Sequence, residues 1–79
     1  MKTPRAITID WVDSQTTYGW RKFNAREDGP PCHIKSLGWL VGQTKDTISV
    51  SSSCSQNGNF ADFMTIPRVA IKKIKRMNL

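Results

Sequence analysis

The sequence predicts an all-β fold, with five short strands wrapped into one small barrel. Two observations carry this reading. Runs rich in β-branched and aromatic residues alternate with period two, and Gly, Pro and Asn-Gly signals break the chain between those runs. A third observation, the three Trp and three Phe, supplies large pieces of core and argues against disorder. With 79 residues, the chain makes one domain, 1–79, near the lower end of what folds without staples.

The first strand is expected over residues 6–12, where alternation places Ile7, Ile9 and Trp11 on one face. Residues 13–31 break the pattern with Ser14, Gln15, Thr16, Thr17 and Gly19, and Gly29-Pro30-Pro31 ends the segment. Tyr18, Trp20 and Phe23 punctuate it, so a long ordered loop folded over one end of the core is expected. Residues 32–42 form the second strand, in which Gly38 marks a bulge or sharp bend. A four-residue turn at 43–46 leads to a third strand over 47–53, which includes the serine triplet at 51–53. That turn sets Val41 against Ile48, Trp39 against Val50 and Leu37 against Ser52, so apolar meets apolar. It also puts Cys54 beside Lys35 and Cys32 on the opposite face, which disfavours a disulfide between the two cysteines.

Asn57-Gly58 is a strong hairpin signal before a fourth strand over 60–66. A two-residue turn there pairs Val50 with Thr65, and a three-residue turn pairs Val50 with Ile66. The second brings Ile66 and Met64 into the core. Pro67 then stops the strand, and a 3₁₀ turn over 67–70 leads to a last strand over 71–77. The expected core is Ile7, Ile9, Trp11, Leu37, Trp39, Val41, Ile48, Val50, Ile66, Ile71 and Ile74. Five strands, a long first loop and a 3₁₀ turn before the last strand match the plan of an SH3-like or Sm-like barrel.

The formal charge is +6, and its location says more than its size. Arg68, Lys72, Lys73, Lys75 and Arg76 crowd the last twelve residues without an acid, leaving the remainder nearly neutral. Such an excess suits a polyanion, or an acidic protein through steering, or simply keeps a solvated strand edge from aggregating. No apolar run approaches the ~20 residues of a membrane span, and no signal-like stretch follows Met1-Lys2, so no membrane association is expected and the chain should stay in the cytoplasm.

Enzymatic chemistry finds no support. Asp10, Asp13, Glu27, Asp28, Asp46 and Asp62 are scattered and mostly at turns, and Asp10 and Asp13 fall on different sides of a strand. The glycines lack phosphate-loop spacing. There is no CxxC, and His33 is the only histidine, so no zinc set and no cofactor is expected. Cys32 and His33 are adjacent on a strand and point apart, which leaves no thiol–imidazole pair.

The order Trp11-Val12-Asp13-Ser14, Gly19-Trp20, Cys32-His33-Ile34-Lys35-Ser36-Leu37-Gly38-Trp39-Leu40-Val41 and Ile66-Pro67-Arg68 with Ile71 and Ile74 resembles a widespread family of small, mostly uncharacterised phage and prophage proteins. The resemblance spans nearly the whole chain. It implies a viral accessory protein acting in the host bacterial cytoplasm, with an Sm-like or SH3-like barrel, and it transfers no catalytic residue, cofactor or ligand.

Two binding functions remain. In the first, the chain binds an anionic ligand, either nucleic acid or a nucleotide. Tyr18 and Trp20 offer stacking beside Arg21, Lys22 and Arg26, while Arg68, Lys72 and Lys73 offer charge for a phosphate backbone. A phage version of this function is a small oligomer that sequesters a nucleotide signal used in host defence. In the alternative, the chain inhibits a host protein by covering a surface or adding a strand to a sheet edge. A homo-oligomer is expected in either case, because so short a chain with open strand edges gains from burying them.

Overall fold

The computed structural model describes residues 3–78. Alternation in the first run has its expected consequence: β1 (Ala6–Asp13) buries Ile7 and Ile9 and turns Thr8 and Asp10 outward. It is followed by a one-turn helix α1 (Ala25–Asp28), then β2 (Cys32–Gln43), β3 (Thr47–Ser51), β4 (Ser53–Cys54), β5 (Phe60–Ala61), β6 (Met64–Pro67), a 3₁₀ turn (Arg68–Ala70) and β7 (Ile71–Arg76). Five strands form one antiparallel sheet in the order β6-β3-β2-β1-β7, and β4 and β5 form a separate two-stranded ladder. The fold is all-β apart from the short helical turns. β6 and β7 are its two edges, so the expected small barrel is corrected to an antiparallel sheet that does not close on itself.

Ile7, Ile9, Ile48, Val50 and Ile66 are the buried core, with Trp11, Leu40 and Ile71 packed against it. Leu37 is 63% exposed and Ile74 44% exposed, while Trp39 and Val41 are half-buried, so these four expected core residues lie outside that cluster. Ile74 pairs with the buried Ile9 but lies on the edge strand β7, whereas for Leu37 and Trp39 the cause is a slip of register. Thr44 donates its N–H to the Thr47 carbonyl at 2.9 Å, and its Oγ1 accepts from the N–H groups of Asp46 (3.1 Å) and Thr47 (3.0 Å). A threonine side chain thus closes the reversal around Lys45-Asp46, and the four-residue turn is replaced by a tighter one. Leu40, and not Trp39, faces Val50. The tighter turn moves the pairing by two residues, which keeps the face, and the bulge between Leu40 and Gly42 takes one back, so the net one-residue slip sends Leu37 and Trp39 outward.

Gly38 has a different use from the expected bulge. A Cβ there would lie 2.7 Å from the Ser51 carbonyl oxygen, so the glycine permits close approach of β3, while the bulge falls between Leu40 and Gly42.

The fourth run is interrupted. Asp62 adopts φ 52°, which separates β5 from β6. The buried Ser51 hydroxyl shares its one proton between two backbone carbonyls, that of Ser53 at 2.8 Å and, more closely, that of Ala61. Ile48 pairs with Ile66 and Val50 with Met64, so neither register left open by the sequence is the one formed. Ile66 is buried, but Met64 sits exposed at the edge. The turn explains this. Ser55 accepts from the Gly58 N–H at 3.1 Å, and Gly58 alone in the loop 56–58 takes positive φ (82°), one step earlier than an Asn-Gly two-residue turn would place the reversal. Cys54 consequently pairs with Phe60 and not beside Lys35, and both cysteines are free thiols.

The long first loop departs most from expectation. It does not fold over the core but projects from it. The β1–β2 ladder runs on past Trp11 to Val12–His33 and Asp13–Cys32, carrying residues 14–31 beyond the last core layer. There Trp11 Nε1 donates to Ser36 Oγ at 3.0 Å. The chain measures 54 × 24 × 23 Å with a radius of gyration of 15.9 Å. A compact chain of this length should have a radius of gyration near 12 Å, so the arm accounts for a real elongation.

Candidate functional site

The arm is ordered by polar bonds alone. Ser14 N–H donates to the Asp13 carboxylate at 2.8 Å, and the Gln15 amide donates to the Pro30 carbonyl at 2.5 Å, tying the two limbs together. Asn24 caps α1 by accepting from the N–H groups of Arg26 (3.0 Å) and Glu27 (3.2 Å). Asp28 reaches back to accept from the Asn24 N–H at 2.7 Å and from the Arg21 guanidinium. The Asn24 backbone bond first, and Arg21 second, hold the Asp28 carboxyl below the usual carboxylate range.

Gly19, at φ 88°, turns the chain so that Trp20 projects. Trp20 is fully exposed, Tyr18 is 88% exposed and Phe23 72% exposed, so the expectation that the loop aromatics cover the barrel end is corrected. Burying such a side chain against a partner is worth about 1.5–3 kcal/mol, a reserve the fold itself leaves unused. Arg21 is committed to Asp28. Lys22 and Arg26 are exposed and make no ion pair among the described residues. Two free cations therefore stand beside three open aromatic faces.

The second expected group, Arg68, Lys72 and Lys73, is not brought together. Arg68 clasps the β2–β3 turn, with Nε donating to the Thr44 carbonyl at 3.0 Å and Nη2 to Gln43 Oε1 at 2.7 Å. Its backbone N–H bonds the Asp46 carbonyl at 2.8 Å. Lys72 lines a groove of about 290 Å³ at the base of the arm, with Asp10, Trp11, His33, Ile34 and Lys35. Lys73 stands on the outer sheet face opposite Asp10. His33 and Lys35, which also line that groove, are not among the residues the sequence singles out for the site. The signal was there in the period of two, which sets both on one face of β2 opposite Val12 and Asp10.

A larger groove, about 430 Å³, lies elsewhere, between Pro4, Arg5, Leu40, Val41, Cys54 and Phe60. Among the described residues no three His, Cys, Asp or Glu come together as a metal set, and no helix is long and apolar enough to cross a membrane. Asp10 is occupied by Lys35 at 3.3 Å. No family model, curated protein or solved structure matches the chain.

Proposed function

We propose that this chain is a non-catalytic binding protein whose arm takes an anionic, base-bearing ligand, a nucleotide or a nucleic acid. The observation that carries the reading is the fully exposed Trp20, flanked by exposed Tyr18 and Phe23 and by the uncommitted cations Lys22 and Arg26. Flat aromatics stack on bases, and the adjacent cations meet phosphate. The strand order, with the last strand returning beside the first after a 3₁₀ turn, supports an SH3-like or Sm-like ancestry for the scaffold. In a phage protein working in the host cytoplasm, such binding would withdraw a nucleotide signal or hold a nucleic acid without altering it. Association of copies through the free edges of β6 and β7 belongs to the same proposal.

The test is titration of wild type and Trp20→Ala with a cyclic dinucleotide and a mixed oligonucleotide. Loss of roughly 1–3 kcal/mol of affinity in the variant, nearly independent of salt, is expected. Wild type that binds neither ligand at physiological salt overturns the reading. The unpaired edges of β6 and β7 favour a second reading, inhibition of a host protein by strand addition, which that result would leave standing.

A further inference from the structure

We infer that the outer face of β1, β2 and β7 is a track for single-stranded nucleic acid that continues from the arm. The inference rests on reading the arm as a base-stacking element, and it narrows the ligand from a free nucleotide to a strand several nucleotides long. The register orders the outer face into rows. Lys35, Asp10 and Lys73 form one row, and Leu37, Thr8 and Lys75 the next. Ala6 and Trp39 form a third, joined by Met77, whose N–H bonds the Ala6 carbonyl at 2.9 Å. Successive rows stand about 6.8 Å apart, two residues of strand rise, so the path from the arm's base at Val12 to Trp39 runs roughly 20 Å.

Charge and apolar surface are segregated along this path. Lys73 and Lys75 follow one margin on the edge strand β7, where both are exposed. The acid on these rows, Asp10, is answered by Lys35 at 3.3 Å. Across β1 from those lysines, on β2, Leu37 is 63% exposed, and with Trp39 and Met77 it lines an open apolar groove of about 240 Å³. A row of cations beside an apolar trough complements a strand whose phosphates run along one side and whose bases lie flat on the other. A lone nucleotide would reach one end of it.

The experiment measures binding of fluorescent thymidylate oligomers, a trinucleotide and a dodecamer, by anisotropy across a salt series. The proteins are wild type, Trp20→Ala, the double variant Lys73→Gln/Lys75→Gln, and Leu37→Ser. The altered lysines and leucine are exposed, and a thermal melt of each variant confirms that it folds. The dodecamer is expected to bind more tightly than the trinucleotide. The lysine double variant should weaken the dodecamer alone and flatten its log–log salt slope by about 1.4, two phosphate contacts at about 0.7 each. Trp20→Ala should weaken both oligomers. If the lysine variant leaves the dodecamer slope unchanged while Trp20→Ala weakens both, the track is overturned and the arm reading stands. If Trp20→Ala changes neither while the lysine variant flattens the slope, the arm reading fails and the track stands. Wild type that binds neither oligomer overturns both. If Leu37→Ser shifts the sedimentation mass of the free protein and leaves dodecamer binding intact, a second copy occupies the face and the track is overturned.

Discussion

Replacing Gly38 by Ala places a methyl group where β2 and β3 approach most closely. The new Cβ would stand 2.7 Å from the Ser51 carbonyl oxygen and 3.3 Å from the Val50 Cβ. The first is a backbone atom in a strand and cannot rotate away, so β3 must shift as a unit. It carries Val50, which is in the core, and Ser51, whose hydroxyl bridges to Ala61. Overpacking of this kind costs about 1–3 kcal/mol. Total stability for a chain this short is about 4–12 kcal/mol, so the loss is a large fraction of it. At about 4–8 °C per kcal/mol for a domain of this size, the melting temperature should fall by about 5–20 °C. Gly42→Ala is the internal control. Nothing lies within 4 Å of its added Cβ, so the change should be neutral or stabilise slightly. Thermal unfolding followed by circular dichroism reads both. A Gly38→Ala variant that melts with wild type would refute the claim that glycine is there to admit β3.

Ile9 is fully buried and Trp39 half-buried on the outer face, so Ile9→Ala should cost about 2–5 kcal/mol and leave little folded protein; denaturant titration should find Trp39→Ala clearly the milder change. Ser51→Ala removes a buried hydroxyl that donates to carbonyls of Ser53 and Ala61, and it should destabilise by about 1–3 kcal/mol in the same titration. The Asp28 carboxyl is held low by the Asn24 N–H and by Arg21, so its contribution to arm order is complete above the ordinary carboxylate range and lost as pH falls through its lowered value. The Asn24 amide resonance followed through an acid titration should report that loss, and Asp28→Asn should abolish the transition.

Much of the scaffold was legible because local chemistry and tertiary demand agree there. Alternation at Ile7 and Ile9, the stop at Pro67 and the short turn before β7 all appear where the residues place them. Registers were less legible, since each depends on one side chain bonding to nearby backbone. Thr44 tightens one reversal and Ser55 sets the other, and residue type alone does not reveal which hydroxyl will do so. At the arm, the residues were singled out but their exposure was misjudged. Tyr18, Trp20 and Phe23 in a polar segment look the same whether they cover a core or face solvent. The difference lies in how far the β1–β2 ladder continues past Trp11, which Val12 and His33 do not announce.

Strand β2 serves two neighbours in succession, and Trp39 is the hinge between them, register partner of Ala6 on one side and Ser51 on the other. The two halves also share one core, Ile7 and Ile9 packed with Ile48, Val50 and Ile66, so the five strands should open as one cooperative unit. The arm has no share in that cooperativity, since every residue from 14 to 27 is exposed and none joins the core cluster. Amide exchange should therefore fall into two tiers, with sheet protons released only on global unfolding and arm protons released by local opening. Any ligand that orders the arm would slow the second tier and leave the first almost untouched.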